Sequence, residues 1–319
     1  MDDFKNICGQ DVAIEILKSA ITKEHISPAY LFSGPEGVGR KKTAKIFINA
    51  ILGKNIKHEH TKIKRESKNN PDLLWIEPAY ILQGKSIAQK QARLENISMK
   101  SPPQIRLNQI KEIIDFLGKK PFNSEKSIVL IEDVEKINES ASNALLKTLE
   151  EPNSGLFILI TQRPEKLLST IRSRCQLVPF TRLNDNQVNT IIQKLEIMKK
   201  VDDIPYKTIN DLITFSCGSP GRYLNNIQCW LELSDELRKK LEMELTNQIE
   251  LLKLAKEITD ELSIEQQLWL INFKQNKAWE KNKDSEMVKK LEELRIQLLA
   301  YVQPRLAWEL ALLDMKLNG

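Results

Sequence analysis

No CxxC pair occurs anywhere in this 319-residue chain, and its four cysteines, Cys8, Cys175, Cys217 and Cys229, are scattered. That spacing supports neither a disulfide framework nor a cysteine-only zinc site. No run of about 18 apolar residues is present, which excludes a helical membrane span. The start, Met1-Asp2-Asp3-Phe4, is acidic and lacks an apolar core, so it does not read as a secretory signal. A cytoplasmic chain is expected. Strong charge of one sign is also missing, because 48 Lys+Arg against 43 Asp+Glu leave a net +5. A histone-like polycation is therefore excluded, while a local basic patch is not. Glycine is absent from residues 230–318, and Pro304 is the single proline there, which marks a helical region.

What is present is a folded composition, 41% hydrophobic and 29% charged, in a chain of two or three domains by length. Short apolar runs read as strands at 29–33, 73–76, 127–131, 156–161 and 176–180. Helical periodicity separates them at 40–52, 107–117 and 139–151. Alternation of this kind predicts an α/β domain with a mostly parallel sheet over 1–182. Beyond it the period is helical throughout, with a turn at Gly218-Ser219-Pro220-Gly221. The expected division is a small helical unit at 183–228 and a larger one at 229–319.

Two polar stretches read as exposed loops. One is roughly 81–102. The other is 54–68, whose six basic and two acidic residues carry net +4. This second stretch is either a solvated loop or a phosphate-contacting one. It lacks aromatics, so it offers single strands no stacking surface.

Gly34-Pro35-Glu36-Gly37-Val38-Gly39 lies between a strand and a helix and has the frame of a phosphate-binding loop. Gly34, Gly37 and Gly39 supply the frame, whose backbone N–H groups can cradle an anion. The two positions that should follow are Lys and Ser or Thr; here they are Arg40 and Lys41. Arg40 keeps the charge in a longer, planar group. Lys41 has no lone pair for Mg²⁺ and repels it. Thr43, two residues on, points about 200° around the helix and cannot replace the lost hydroxyl. At the end of the third strand, Glu132-Asp133 inverts the Asp-then-Glu order that metal binding and water activation require. These two are either a decayed catalytic pair or exposed carboxylates near a helix start.

Further motifs converge: Gly9-Gln10, Asn70-Pro71-Asp72, Gln104-Ile105-Arg106, the run from Ser142-Asn143-Ala144 to Glu150-Glu151-Pro152, Thr161, and Ile171-Arg172-Ser173-Arg174-Cys175. With them the sequence resembles bacterial clamp-loader subunits of the AAA+ class, strongly over about 1–225 and more weakly over 230–319. A decayed phosphate loop beside an intact Ser-Arg-Cys is similar to the delta prime subgroup of the DNA polymerase III loader. The tau/gamma subgroup would keep the loop lysine and threonine.

The resemblance implies an AAA+ sheet domain, a helical lid and an all-α collar. It also implies a non-hydrolysing stator within a hetero-oligomeric pentamer. Its implied partners are tau/gamma and delta subunits, the sliding clamp and primer-template DNA, with no membrane. Ser173 and Arg174 belong to the implied finger, Arg174 serving a neighbour's ATP site in trans. Out of context, Arg174 would form an internal salt bridge. Cys175 is expected to pack.

No cofactor is required on this reading, although the loop could retain a nucleotide or anion. The family's four-cysteine zinc module is replaced here by the stretch holding His58 and His60, so no zinc is expected. The alternative is an active AAA+ ATPase with an unusual phosphate loop.

Overall fold

The computed structural model describes residues 2–53, 70–82, 85–88, 102–151, 155–194, 204–243, 247–300 and 302–317. The basic stretch 54–68, with His58 and His60, lies outside them. The chain forms two compact units, Met1–Leu183 and Asn184–Gly319.

In the first unit, α1 (Asp11–Thr22) leads to β1 (Ala29–Ser33) and α2 (Arg40–Leu52). Next come β2 (Leu73–Ile76), β3 (Ala79–Leu82), β4 (Lys85–Ala88) and α3 (Leu107–Leu117). The unit continues with β5 (Ser127–Ile131), α4 (Glu139–Glu150), β6 (Gly155–Thr161), α5 (Ser169–Ser173) and β7 (Gln176–Pro179). Five strands form one sheet in the order β2-β5-β6-β1-β7. Every pair in it is parallel.

The strands are apolar at successive positions because both sheet faces are covered. Tyr30, Phe32, Ile128, Leu130 and Ile158 pack on one face with Leu17 and Phe47 from α1 and α2. Leu31, Val129, Ile131, Phe157 and Leu159 pack on the other with Ile110, Ile113 and Leu145 from α3 and α4. Burial of these side chains is worth about 1.5–3 kcal/mol each and is the main force holding the three layers together.

The expected exposed loop at 81–102 needs correcting at its start, while residues 83–84 and 89–101 lie outside the described residues. Ala79–Leu82 and Lys85–Ala88 pair as an antiparallel two-stranded sheet. Ile81 and Leu82 are exposed as expected, but they are extended and paired. The polar residues around this short β-favouring run hid it.

The second unit is helical among the described residues: α6 (Asp185–Lys194), α7 (Tyr206–Ser216), α8 (Pro220–Leu231), α9 (Asp235–Glu242), α10 (Gln248–Glu261), α11 (Ile264–Asn282), α12 (Ser285–Leu299) and α13 (Pro304–Leu317). Phe273 of α11 is its aromatic centre, parallel to Trp269 with ring centroids 5.6 Å apart and touching Phe215 and Trp230. The buried Gln267 accepts from Trp308 Nε1 at 2.9 Å and donates to the Leu262 carbonyl. The expected 228/229 division falls within α8.

Candidate phosphate loop and arginine site

Residues 34–39 leave the sheet at the C-terminal end of β1. Gly34 is required by contact: a Cβ there would stand 2.3 Å from the Phe180 carbonyl oxygen. Gly37 and Gly39 have φ of 75° and 104°, and Gly39 is the N-cap of α2. Positive φ at these two places turns the chain into the helix with no Cβ penalty. The buried Gln10 fastens the loop. Its Nε2 donates to the carbonyls of Val38 (3.3 Å) and Thr181 (2.8 Å), and its Oε1 accepts from the Thr181 amide (3.0 Å). Thr161, at the end of β6, is fully buried and accepts from the Arg163 amide, while the Gly34 amide donates to its carbonyl.

Arg40 is 6% exposed and its Nη1 has no hydrogen-bond partner. Burial lowers its pKa, and the carboxylates of Glu135, Asp133, Glu36 and Glu132 push the other way. The guanidinium stays charged, because arginine starts far above neutral pH. Lys41 reaches Glu132: Nζ lies 2.6 Å from Oε1, and 4.8 Å from the centre of the Trp75 ring. Lys45 also lies over that ring, at 5.4 Å. Asp133 has φ 45° and pairs with Lys136 at 2.9 Å. Thr43 Oγ1 donates to the Gly39 carbonyl, so its hydroxyl is turned into the helix.

These contacts test the loop against a magnesium nucleotide. The hydroxyl ligand is absent, the first carboxylate holds an ammonium, and the second holds another. A divalent cation does not fit this set, whereas the backbone cradle with the unpartnered Arg40 nitrogen suits an anion. Among the described residues no cluster of His, Cys, Asp and Glu is placed to hold a metal ion.

Gly34, Gly37, Gly39, Arg40, Lys41, Glu132, Asp133 and Thr161 thus gather at one edge of the sheet. Ser173 and Arg174 lie at the other. Tyr30 pairs with Gln176 and Ser33 with Pro179. Arg174 precedes the first pair and Gly34 follows the second, so at about 3.3 Å per residue they stand at least about 10 Å apart along the strands. Arg174 is exposed, with Nη2 2.8 Å from Glu150 Oε1 and Nη1 donating to the Thr170 carbonyl at 3.1 Å. Ser173 Oγ donates to the same carbonyl. Burial pushes the Cys175 thiol up to about 12, so it is an unreactive packing group.

Sequence reading missed four participants: Trp75, Lys136, Glu150 and the fastening role of Gln10. The three-residue spacing of Asp133 and Lys136 was the one available signal among them.

Two family models cover nearly the whole chain. The model described as DNA polymerase III, delta subunit, matches residues 9–184, more than half of it. The chain belongs to the DNA polymerase III delta-subunit family. It is thereby one of the clamp-loader family that its motifs implied. The model for the cyanobacterial delta prime C-terminal domain matches residues 186–315 of this family member.

Among relatives, the delta' subunit of Bacillus subtilis is 30% identical over 56% of the chain and 50% of its own length. The tau subunit of the same organism is 31% identical over 58% and 30%. The tau/gamma subunit of Haemophilus influenzae is 28% identical over 77% and 32%. The match therefore spans half of the first relative's length and about a third of each of the others. A gamma-subunit-related protein of Thermotoga maritima superposes with a TM-score of 0.53 at 18% identity, covering 95% of this chain and 98% of that one. That likeness establishes the fold, a parallel sheet with helices on both faces followed by helices, as the sequence led us to expect.

Proposed function

We propose that this family member is a non-hydrolysing subunit of the DNA polymerase III sliding-clamp loader, and that it lends Arg174 to the ATP site of a neighbouring subunit. One observation carries the reading: the ammonium of Lys41 occupies Glu132 at its own loop, while Arg174 faces outward at the opposite sheet edge. Its own site lacks the metal ligands, and its arginine is too far away to serve that site. A guanidinium offered to a neighbour's transferring phosphoryl is worth about 10³–10⁵ in rate.

The implied partners are tau/gamma and delta subunits, the clamp and primer-template DNA within a hetero-oligomer. On this reading residues 183–228 serve as lid and 229–319 as collar, with α8 running continuously across their boundary. Support for the collar comes from Ile296, Leu299, Leu306 and Leu310, all exposed apolar side chains on α12 and α13.

Size-exclusion with tau/gamma and delta partners, followed by ATPase measurement on the resulting peak, tests this. Arg174→Ala should lower the assembly's ATPase by at least tenfold with assembly intact; an unchanged rate removes the finger role. The second reading, an active ATPase, is favoured by the charged, buried Arg40 in a complete glycine frame. It requires Mg-ATP hydrolysis by the purified chain, abolished by Arg40→Ala.

A further inference from the structure

We propose that Glu150 is a latch that parks Arg174 when the neighbour's site holds no phosphate, a positioning role that rests on the finger reading above. Glu150 ends α4 and Arg174 is the C-cap of α5, so two elements 24 residues apart bring the pair together. The position of Glu150 is not explained by its own helix, because a carboxylate in the last turn opposes the negative end of the helix dipole. Its partner across the gap offsets that: Arg174 Nη2 sits 2.8 Å from Glu150 Oε1 while Nη1 holds the Thr170 carbonyl at 3.1 Å. Two of the three guanidinium nitrogens are therefore already engaged.

The pair is weak enough to open. The two side chains are 37% and 46% exposed. Exposed ion pairs favour the closed state only about 1.5- to 5-fold. A terminal phosphate carries more charge than one carboxylate and accepts both guanidinium nitrogens, so it outcompetes Glu150. On release, Glu150 returns to water at little cost because it is already half exposed. The latch thus makes engagement of the finger conditional on phosphate in the neighbour's site. Without it, the exposed guanidinium would be open to any anion.

The test uses the full chain in the assembled loader with tau/gamma and delta partners. kcat/KM for ATP, measured at ATP well below saturation so that the phosphate-free state is populated, is compared for wild type, Glu150→Gln, Arg174→Ala and the double variant. Glu150→Gln, isosteric and exposed, should raise it about 1.5- to 5-fold. The double variant should match Arg174→Ala alone, because the latch acts only through that arginine. In the free chain, the side-chain Nε–H resonance of Arg174 should shift on Glu150→Gln. A lower or unchanged kcat/KM for Glu150→Gln, with Arg174→Ala still impaired, removes the latch and leaves the finger. An effect of Glu150→Gln that persists in the Arg174→Ala background, or an unmoved Arg174 resonance, also removes the latch. An unimpaired Arg174→Ala removes both.

Discussion

Lys274 sits in α11 with its ammonium buried and donating to the Leu241 carbonyl at 2.9 Å. Burial first, and then the like charges of Lys277 and Lys281, lower its pKa to about 8, against the opposing pull of Glu242. The unfolded chain holds that proton up to about 10.4. Between about pH 8 and 10.4 the unfolded state therefore binds more protons, and stability rises with pH across that window. Below pH 8 both states are protonated and the full cost of the buried charge remains. Lys274→Met should remove this component. The urea midpoint of wild type should then gain on that of the variant between pH 7 and pH 9.5. Parallel pH profiles would contradict the assignment.

At the scale of elements, Asp72 organises the entry to the central sheet. It is buried just before β2, and its carboxylate accepts from the Phe122 amide (2.5 Å), the Asn123 amide (2.8 Å) and Ser124 Oγ (2.9 Å). One side chain thereby shapes the turn that feeds β5. Hydrogen bonds to a buried charge are worth about 1.5–3 kcal/mol each, so Asp72→Ala should cost about 3 kcal/mol or more in unfolding free energy. Thermal unfolding of the full chain measures this, and a loss below about 1 kcal/mol would refute it.

The five sheet strands were legible in the sequence because burial on both faces writes them as unbroken apolar runs such as Ile128-Val129-Leu130-Ile131. The phosphate loop was legible because its three glycines are local and their spacing is fixed. The pair β3 and β4 was not, because a short, half-exposed hairpin leaves only a few apolar letters among polar ones. Pairings across the fold were equally hidden. Nothing in Glu150 or Trp75 taken singly announces a partner, since the topology alone brings Arg174 to one and Lys41 to the other.

For the whole molecule, the charge balance is uneven. The net charge is +5, and residues 54–68 carry +4 of it. Any duplex binding by the isolated chain should draw on that stretch. Neutralising Lys62, Lys64 and Arg65 should then reduce the slope of log affinity against log salt by about 3, at about 0.9 per phosphate contact. A slope that does not change would assign the contacts elsewhere.

The parallel sheet also has a polarity with a consequence for any row of such subunits. Its carboxyl rim carries the glycine loop, where a phosphate would be received, and Arg174 lies at its amino rim. Contacts between unlike rims are head-to-tail, and they propagate until a member breaks the repeat. On the function proposed above, with Lys41 seated on Glu132, this chain would give at one rim and have nothing to ask for at the other. On that proposal such a member would need a hydrolysing neighbour on one side only, and its place would be the terminus of an open arc.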